Sequence, residues 1–446
     1  MFGIPGSLLS PSKWTRLAIG AVACAGVCGG TFSASAGQEG TVEGDAFLLT
    51  QSPSLQELWS WDVVYNSAAN EYVVAYSKGG VIFVQRVDEQ GEPLDVELVA
   101  YKPRLNDTIS QVLDLTITFN PVISQYFIVW RDTWMNVHGR FLDTSCRIVS
   151  PRISILSPTG DEQFLDPPAI AHSEELRTWL VVQPVETLSG ASYLRTVMID
   201  RMGIVRNEEI LDEEGVGEYE PSVAYNPMTY EYLVAWRAID GQGSYLWTIP
   251  FSVDGFIQGE RQVVPDAVRP SHPVLALQPM TGDYLLSYID SILVPDREGE
   301  TQSVAAVLLH GAGDDGVPVG SAASASVWAG SQTSAPYDLC AVYNPHSDHF
   351  LLSVLGEVPE GSQGHTDGVL VSAHEGDLSM GEVFSVADVD LRVELFSEAT
   401  GTYLAGYKGV SAEEGPSAQV FGLHLSGGDD DGSTSRHARG RRASGR

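Results

Sequence analysis

The sequence predicts an all-β protein, a seven-bladed β-propeller of four-stranded antiparallel blades that is closed by an N-terminal strand. Three observations support this prediction. A strand–turn–strand motif recurs seven times in 446 residues, and each copy is followed by further strand-like runs. No amphipathic helix of usable length lies between residue 36 and the C-terminus. Four-stranded units repeated at a fixed period are typical of propeller blades.

Each copy of the motif has an apolar strand (a), a turn similar to Tyr-Asn-Pro, and a second strand (b) that begins with an aromatic residue. The spacings between these aromatic anchors are 54, 53, 53, 52, 66 and 53 residues, and a Gly/Ala/Ser-rich insertion at 311–333 accounts for the long interval. The anchors are Tyr72, Tyr126, Trp179, Tyr232, Tyr284, Phe350 and Tyr403. Such a constant period indicates one repeating structural unit.

The second strand of the repeat is predicted to be covered on both faces. In the fourth copy it contains Leu233, Val234 and Ala235 without alternation, which is typical of a strand between two packed layers. We expect the aromatic anchors to fill the space between neighbouring blades. The third copy has Gln183 where most copies carry Trp or Tyr, so we expect that blade to be the least well packed.

The two ends of the repeat region predict how the ring closes. The seventh copy has strands at 391–396, 402–407 and 418–425 but no fourth strand (d), whereas residues 46–50 form a spare strand. Pairing this spare strand with the third strand (c) of the last copy would remove an unpaired edge. The predicted organisation is a signal peptide (1–36), a linker (37–45), the propeller (46–426) and a disordered tail, acidic and then basic (427–446).

The first 36 residues have the pattern of a signal peptide. Lys13 and Arg16 precede an apolar run of 14 residues at 17–30, and small residues at 34–36 allow cleavage before Gly37. The run is too short to span a bilayer, so we expect a secreted, periplasmic or cell-surface protein that is not inserted in a membrane after cleavage. An uncleaved anchor and a lipoprotein modified at Cys24 are the alternatives.

The composition excludes several classes of partner. The 25 basic and 58 acidic residues give a net charge of −33, which repels nucleic acids and anionic lipid surfaces. A hydrophobic fraction of 43% excludes global disorder. Cys146 and Cys340 fall in the second and sixth copies, so we expect them not to form a disulfide bond. We expect a monomer.

No catalytic motif is found, because the sequence lacks G-x-S-x-G and the P-loop, and its S-x-x-K match at 10–13 falls in the predicted signal peptide. His346 and His349 have the spacing of a metal clip, but two ligands do not make a site. Asp388, Asp390 and the acidic run at 429–431 would bind Ca²⁺ only weakly, since they lack an oxygen-rich loop. The expectation is therefore a protein without a resident cofactor, with weak Ca²⁺ binding as the alternative.

Loop lengths predict where a ligand binds. In a propeller the a–b and c–d turns lie on one face, and the b–c and d–a connections lie on the other, which we call the b–c/d–a face. The b–c/d–a connections are long and varied, as at 290–303 and 356–368, and variable loops on a rigid scaffold commonly carry function. The candidate ligand-binding residues on this face are Arg131, Trp134, Arg237, Asp240, Asp296, Arg297 and His365. For the two arginines that follow strand b, salt bridges within an acidic rim are the alternative.

The repeats resemble those of secreted bacterial β-propeller proteins. The resemblance rests on Tyr-Asn-Pro at 225–227 with the run at 232–236, and on Phe-Asn-Pro at 119–121 with the run at 126–130. It covers residues 46–425 and implies only a fold and an extracellular setting. We predict a non-enzymatic binding or adhesion scaffold that recognises a glycan or an extracellular protein through the b–c/d–a face. The alternatives are a polysaccharide-active hydrolase or lyase on that face and a structural envelope or matrix component.

Overall fold

A computed structural model describes most of the repeat region. The described residues are 41–48, 58–89, 91–103, 111–164, 166–211, 216–264, 267–293, 300–309, 320–321, 336–356, 365–374, 377–381, 384–387, 391–397, 402–410 and 418–426. The predicted signal peptide and tail, Asp388, Asp390 and the run at 429–431 lie outside them. Among the described residues, no helix is long and apolar enough to cross a membrane.

The described residues contain strands throughout, numbered in chain order. The first fifteen are β1 (Thr41–Leu48), β2 (Leu58–Asn66), β3 (Glu71–Lys78), β4 (Val81–Asp88), β5 (Leu98–Tyr101), β6 (Val112–Asn120), β7 (Gln125–Asp132), β8 (Val137–Asp143), β9 (Ile153–Leu156), β10 (Glu162–Phe164), β11 (Ala169–Ser173), β12 (Thr178–Thr187), β13 (Ser192–Asp200), β14 (Val205–Leu211) and β15 (Gly217–Asn226). The other fifteen are β16 (Glu231–Ile239), β17 (Ser244–Ser252), β18 (Gln262–Val263), β19 (Pro270–Gln278), β20 (Asp283–Leu293), β21 (Glu300–Leu309), β22 (Gly320–Ser321), β23 (Pro336–Asn344), β24 (His349–Gly356), β25 (His365–His374), β26 (Asp377–Met380), β27 (Phe384–Ala387), β28 (Leu391–Ser397), β29 (Thr402–Val410) and β30 (Ala418–Ser426).

The described residues form seven antiparallel sheets, numbered 1 to 7 along the chain. Sheets 1, 2, 4 and 5 contain β2–β5, β6–β9, β15–β18 and β19–β22, each with four strands in chain order. Sheets 3 and 6 contain β10–β14 and β23–β27. In sheet 3 the first strand is split, because β10 and β11 both pair with β12, and in sheet 6 both β26 and β27 pair with β25. The protein is therefore all-β, and its basic unit is a four-stranded antiparallel sheet.

Sheet 7 combines strands from both ends of the repeat region, in the order β1–β30–β29–β28. The pairing of β1 with β30 runs from Thr41 opposite Ser426 to Leu48 opposite Phe421, with one register shift. The N-terminal strand thus begins at Thr41, inside the segment predicted to be a linker. The predicted strand residues Leu49 and Thr50 lie outside the described residues.

The hydrophobic core lies between neighbouring sheets rather than within one sheet. Each buried cluster joins two sheets: sheets 1 and 2, 2 and 3, 3 and 4, 4 and 5, 5 and 6, and 1 and 7. The seven aromatic anchors are all buried. Their polar atoms reach the preceding sheet: the hydroxyl of Tyr232 donates to the carbonyl of Thr178 at 3.1 Å, and the indole Nε1 of Trp179 donates to Thr118 Oγ1 at 3.0 Å. The expectation that the anchors pack between repeats is confirmed.

The first strands of consecutive sheets also contact one another. β2 contacts β6, β6 contacts β11, and the series continues through β15, β19, β23 and β28, which in turn contacts β2. Polar side chains on these strands accept backbone hydrogen bonds from the next first strand. For example, Asp62 Oδ2 accepts from the N–H of Ile117 at 2.7 Å, and Ser222 Oγ accepts from the N–H of Leu275 at 3.0 Å. In these two pairs, side chains of one first strand therefore satisfy backbone N–H groups of the next.

The asparagine of the Tyr-Asn-Pro motif fixes the a–b turn and joins two sheets. Asn226 Oδ1 accepts a hydrogen bond from the N–H of Met228 at 2.9 Å, and its Nδ2 donates to the carbonyl of Gly282 in the next sheet at 2.8 Å. Asn120 does the same with the N–H of Val122 and the carbonyl of Ser173. The motif is recurrent because one side chain satisfies backbone groups on both sides of the gap between sheets.

Two substitutions at the fourth residue of the a–b turn should change the free energy of unfolding in opposite directions. The fourth turn residue is left-handed in six sheets: Asn70, Ser124, Arg177, Tyr230, Gly282 and Asp348. Since only glycine adopts this conformation without a steric penalty, we expect Arg177→Gly (φ 58°) to raise the free energy of unfolding by about 0.5–1 kcal/mol. Gly282→Ala (φ 76°) should lower it by a similar amount or more. Urea denaturation of the two variants checks this, and equal signs would contradict it.

Candidate functional site

Arg131, predicted to contact a ligand, is a buried residue with internal partners. Its side chain is 7% exposed and donates to Asp114 Oδ2 through Nε at 2.8 Å and through Nη2 at 2.5 Å. Its Nη1 donates to the carbonyl of Phe164 in sheet 3. Arg131 therefore forms a salt bridge, as the alternative expectation had it, and its guanidinium group links two sheets.

Trp134 lies in the b–c turn of sheet 2, which several hydrogen bonds hold in place. Its side chain is 64% exposed. The buried carboxylate of Asp132 holds the turn: its Oδ1 accepts from the N–H groups of Trp134 and Asn136, both at 2.9 Å, and its Oδ2 lies 3.0 Å from His138 Nε2. An exposed indole on a fixed turn offers a flat apolar surface that loses little entropy on binding.

The pKa of Asp132 predicts how this turn responds to pH. Burial opposes ionisation, but hydrogen bonds from His138 and from the backbone of Asn136 outweigh it and lower the pKa of Asp132 below its ordinary value of 3.8. A lowered pKa means that the ionised group stabilises the fold above about pH 4, and that this contribution is lost as the pH falls through the folded-state pKa. We expect Asp132→Asn to cost about 1–2 kcal/mol at pH 7 and clearly less at pH 3.

Thermal unfolding of the variant at both pH values tests this prediction. Asp240 is the matched control, because it caps the corresponding turn of sheet 4 without a histidine partner. Its Oδ1 accepts from the N–H groups of Gln242 at 2.6 Å and Gly243 at 2.9 Å. Asp240→Asn should therefore have the smaller effect at pH 7. An Asp132→Asn effect that does not change with pH would contradict the prediction.

Of the remaining predicted residues, the structure describes the side chains of Arg237 and Asp240. Arg237 is 28% exposed and donates to Glu220 Oε1 at 3.2 Å and to Ser244 Oγ at 3.1 Å, so it too forms a salt bridge. Asp296 and Arg297 lie outside the described residues, as does the side chain of His365. Among the described side chains of the predicted set, Trp134 is therefore the most exposed.

A second set of polar residues shares one position in four consecutive sheets. In sheets 1, 2, 4, 5 and 6 the first strand contains a β-bulge near its start, and in sheet 3 it is interrupted between Phe164 and Ala169. A bulge re-aims side chains at the end of a sheet. We call the four residues at this position in sheets 2 to 5 the bulge cluster: Asp114, Asp166, Glu220 and His272. All four lie near the start of the first strand, on the b–c/d–a face.

Hydrogen bonds and backbone strain fix the cluster. Glu220 Oε2 accepts a hydrogen bond from the backbone N–H of His272 at 2.7 Å, and Glu220 Oε1 accepts one from Arg237 Nη1 at 3.2 Å. Glu220 and His272 both have φ of 52°, a left-handed conformation that is uncommon for residues with a side chain. Strain of this kind persists only where surrounding contacts impose it, and it is enriched at functional sites.

The surroundings of Asp166 perturb its carboxyl group. Burial is the largest cause, and the negative charge of Glu220 is the second; together they raise the pKa of Asp166 above its ordinary value of 3.8. Asp114 acts in the same direction, whereas Arg131 and His272 oppose it. Burial and the neighbouring carboxylates therefore make ionisation of Asp166 less favourable than that of an exposed aspartate.

The cluster is not arranged as a metal centre. Within the described residues, no three His, Cys, Asp or Glu side chains are placed to hold one ion. His346 lies in the a–b turn of sheet 6, where its backbone N–H donates to Asn344 Oδ1 at 2.8 Å, and His349 begins β24, where its ring contacts the carbonyl of Ser347. Cys146 and Cys340 do not form a disulfide bond, and burial raises the pKa of Cys146 to about 12.

The opposite face has a surface character that loop lengths do not predict. Its short turns carry exposed apolar side chains, including Tyr230, which is 54% exposed, and Met280, which is 78% exposed. The others are Leu94, Val96, Val122, Ile148, Val149, Leu176, Met202, Ile204, Met228, Phe256 and Ile257. Tyr230 is thus an exposed aromatic counterpart to Trp134 on the other face.

The bulge cluster had a signal in the sequence. Asp114, Glu220 and His272 each precede the aromatic anchor of their sheet by 12 residues, and Asp166 precedes its anchor by 13. An alignment of the copies on their aromatic anchors places these residues at the same position or one position apart. The sequence could not show that they lie at bulges, because a bulge depends on how two strands pair.

Comparisons with known proteins reveal similarity of fold only. No family model and no curated protein matches the chain. Among solved structures, polysaccharide lyase Uly1 is 9% identical, with a TM-score of 0.49 and coverage of 87% of this chain and 94% of its own. Hydrazine synthase of Kuenenia stuttgartiensis is 12% identical, with a TM-score of 0.45 and coverage of 74% and 80%. The Dos1 propeller is 11% identical, with a TM-score of 0.43 and coverage of 87% and 94%. No activity is carried over to this chain at such distances.

Proposed function

We propose that this protein is a secreted, monomeric, seven-bladed β-propeller closed by β1, and that it binds a glycan on its b–c/d–a face. Two observations support the ring. The first strands contact one another from β2 through β28 and back to β2, and β1 supplies the fourth strand of the sheet that also contains β28–β30. A ring of this kind leaves no unpaired edge between the first and last blades.

The observation that carries the proposed glycan binding is the bulge cluster. Four consecutive sheets place polar groups at one level of one face, and three of them are carboxyl groups. Sugar hydroxyls donate to carboxylates, and a rigid exposed indole such as Trp134 adds an apolar surface for a sugar ring. The net charge of −33 argues against nucleic acid and anionic membranes as partners.

A polysaccharide-active hydrolase or lyase is the second candidate. The raised pKa of Asp166, caused first by burial, favours it, because a carboxyl group that keeps its proton at higher pH is what a general acid requires. The two candidates differ in one observable, the release of new reducing ends or unsaturated products.

The test incubates the purified mature protein with immobilised and soluble polysaccharides, both neutral (laminarin, xyloglucan, arabinan) and acidic (alginate, polygalacturonate). We expect binding without product release. If the wild type releases product and the Asp166→Ala variant does not, the second candidate would be established instead. Absence of binding to every polysaccharide in the panel would overturn the proposed function.

A further inference from the structure

Two residues depart from the repeat at positions that lie between sheets. The buried Gln183 replaces the tryptophan of sheets 2 and 4, and its Nε2 donates to the carbonyls of Asp166 at 3.0 Å and Pro184 at 2.9 Å. These bonds stay within sheet 3, so local bonding holds this residue in place. The second departure, Arg140 in sheet 2, introduces a charge.

Arg140 stands at a position that is apolar in most of the repeats. It lies in β8 opposite Ile128, the second residue after the aromatic anchor of sheet 2. Sheet 1 has the neutral Gln85 at the corresponding position. The residues found there in sheets 3 to 7 are apolar: Val197, Ile249, Val307, Val369 and Leu423. The first four of these belong to the buried clusters that join each sheet to the preceding one. A guanidinium group at this position therefore enters a space that other sheets fill with apolar side chains.

Arg152 is the cross-strand neighbour of Arg140. The printed pairing of β8 with β9 ends at Gly139 opposite Ile153. The next residues along these antiparallel segments are the two arginines. Side chains that face each other in this way have Cβ atoms about 5 Å apart, where like charges are destabilising. In agreement, burial and then the charge of Arg152 lower the pKa of Arg140.

The two arginines contact consecutive residues of β5 in sheet 1. Arg140 Nη1 donates to the carbonyl of Ala100 at 2.8 Å. Arg152 Nη1 lies 3.5 Å from the hydroxyl of Tyr101, and the Arg152 guanidinium carbon lies 6.0 Å from the centre of the Tyr101 ring. Two guanidinium groups from sheet 2 are thus held side by side against the last strand of sheet 1.

The chain supplies no negative charge to this arginine pair within the residues that the structure describes. Arg86, Arg131 and Arg195 each form an ion pair with a carboxylate, whereas neither Arg140 nor Arg152 does. Arg140 Nε is buried and has no hydrogen-bond partner among the described residues. With 58 acidic residues for 25 basic ones, a shortage of carboxylates cannot be the reason. A buried donor beside a second positive charge requires an anionic acceptor.

We propose that Arg140 and Arg152 form a binding site for a dianionic tetrahedral oxoanion, either free as phosphate or sulfate or carried as a phosphate monoester. This site is separate from the bulge cluster, because it lies on the third and fourth strands of sheet 2 rather than on the first. It goes beyond the proposed glycan binding and does not depend on it.

The number and charge of the donors select this class of anion. One planar guanidinium group matches one carboxylate in a bidentate pair. Two guanidinium groups carry two positive charges and offer more N–H donors than the two oxygens of one carboxylate can use. An anion with two negative charges and at least three free oxygens matches both groups at once.

The experiment is isothermal titration of the purified mature protein with inorganic phosphate at pH 8, in chloride buffer. We expect saturable binding at one site per chain. Arg140→Leu supplies the kind of side chain that sheets 3 to 7 carry, and Arg152→Ala removes the second cation. Each should weaken phosphate binding by about tenfold or more. Arg147→Ala is the matched control, an exposed arginine of the same sheet, and it should leave the dissociation constant unchanged.

Thermal unfolding gives a second readout that does not depend on the stability of each variant. Phosphate should raise the melting temperature of the wild type and of Arg147→Ala more than chloride at equal ionic strength does, because it binds only the folded state. The additional rise should be absent in Arg140→Leu and Arg152→Ala. Stabilisation by exclusion of phosphate from the protein surface is the same in all four proteins, so the difference between them reports the site.

A comparison of ligands identifies the source of the anion. Glucose 6-phosphate that binds more tightly than inorganic phosphate would assign the site to a monoester, and equal or weaker binding would assign it to the free anion. Acetate that binds as tightly as phosphate would overturn the dianionic class. Absence of saturable phosphate binding to the wild type, or binding that both Arg140→Leu and Arg152→Ala leave unchanged, would overturn the site itself.

Discussion

Replacing Arg131 by Ala is expected to destabilise the protein by about 3–5 kcal/mol, whatever it does to ligand binding. The substitution leaves the Asp114 carboxylate without its cation and the carbonyl of Phe164 without its donor. Because the Arg131 side chain is 7% exposed, water cannot readily replace these bonds. The measurement is the urea midpoint at constant m-value.

Arg237→Ala is the matched control, since Arg237 follows strand b of sheet 4 as Arg131 follows strand b of sheet 2. The Arg237 side chain is 28% exposed, and Glu220 keeps its bond from the N–H of His272. We expect a loss of about 1 kcal/mol or less. Equal losses for the two variants would show that Arg131 does not act as a buried structural residue.

Deleting residues 37–51 is expected to have the largest effect of all on the free energy of unfolding. The deletion removes β1, so β30 loses its partner from Thr41 to Leu48. At about 1 kcal/mol for each lost backbone hydrogen bond, several kcal/mol should be lost. The exposed edge of β30 should also promote association that rises with protein concentration.

Deleting residues 427–446 is the control, because the sequence predicts a disordered tail there. That truncation should leave the melting temperature unchanged. A melting curve that is equally unaffected by loss of residues 37–51 would mean that β1 does not secure the ring.

The strands were predictable because their signals are local and repeated. The period of the anchors located each strand pair, and the apolar run around Val234 correctly indicated a strand covered on both faces. The start of β1 at Thr41 was missed because polar residues such as Glu43 and Asp45 obscure the strand pattern. The segment forms a strand because it pairs with β30, which is distant in sequence, and no local pattern reveals such a partner.

The site was less predictable because it depends on contacts between sheets. Arg131 looked like a ligand contact from its place after strand b, but its partners Asp114 and Phe164 are apparent only once sheets 2 and 3 are adjacent. Gln183 had the pattern of a packing defect for the same reason. The residues that depart from a repeat are ambiguous in sequence, since a defect and a functional residue break the pattern equally.

The central claim is that the ligand is a glycan and that it binds on the b–c/d–a face. Trp134 and Tyr230 test it directly, because they are aromatic side chains of similar exposure, 64% and 54%, on opposite faces. The measurement is the dissociation constant of Trp134→Ala and of Tyr230→Ala for the polysaccharide that the wild type binds. We predict a loss of about tenfold for Trp134→Ala and no change for Tyr230→Ala. Weakened binding by Tyr230→Ala with unchanged binding by Trp134→Ala would place the ligand on the a–b/c–d face and contradict the account.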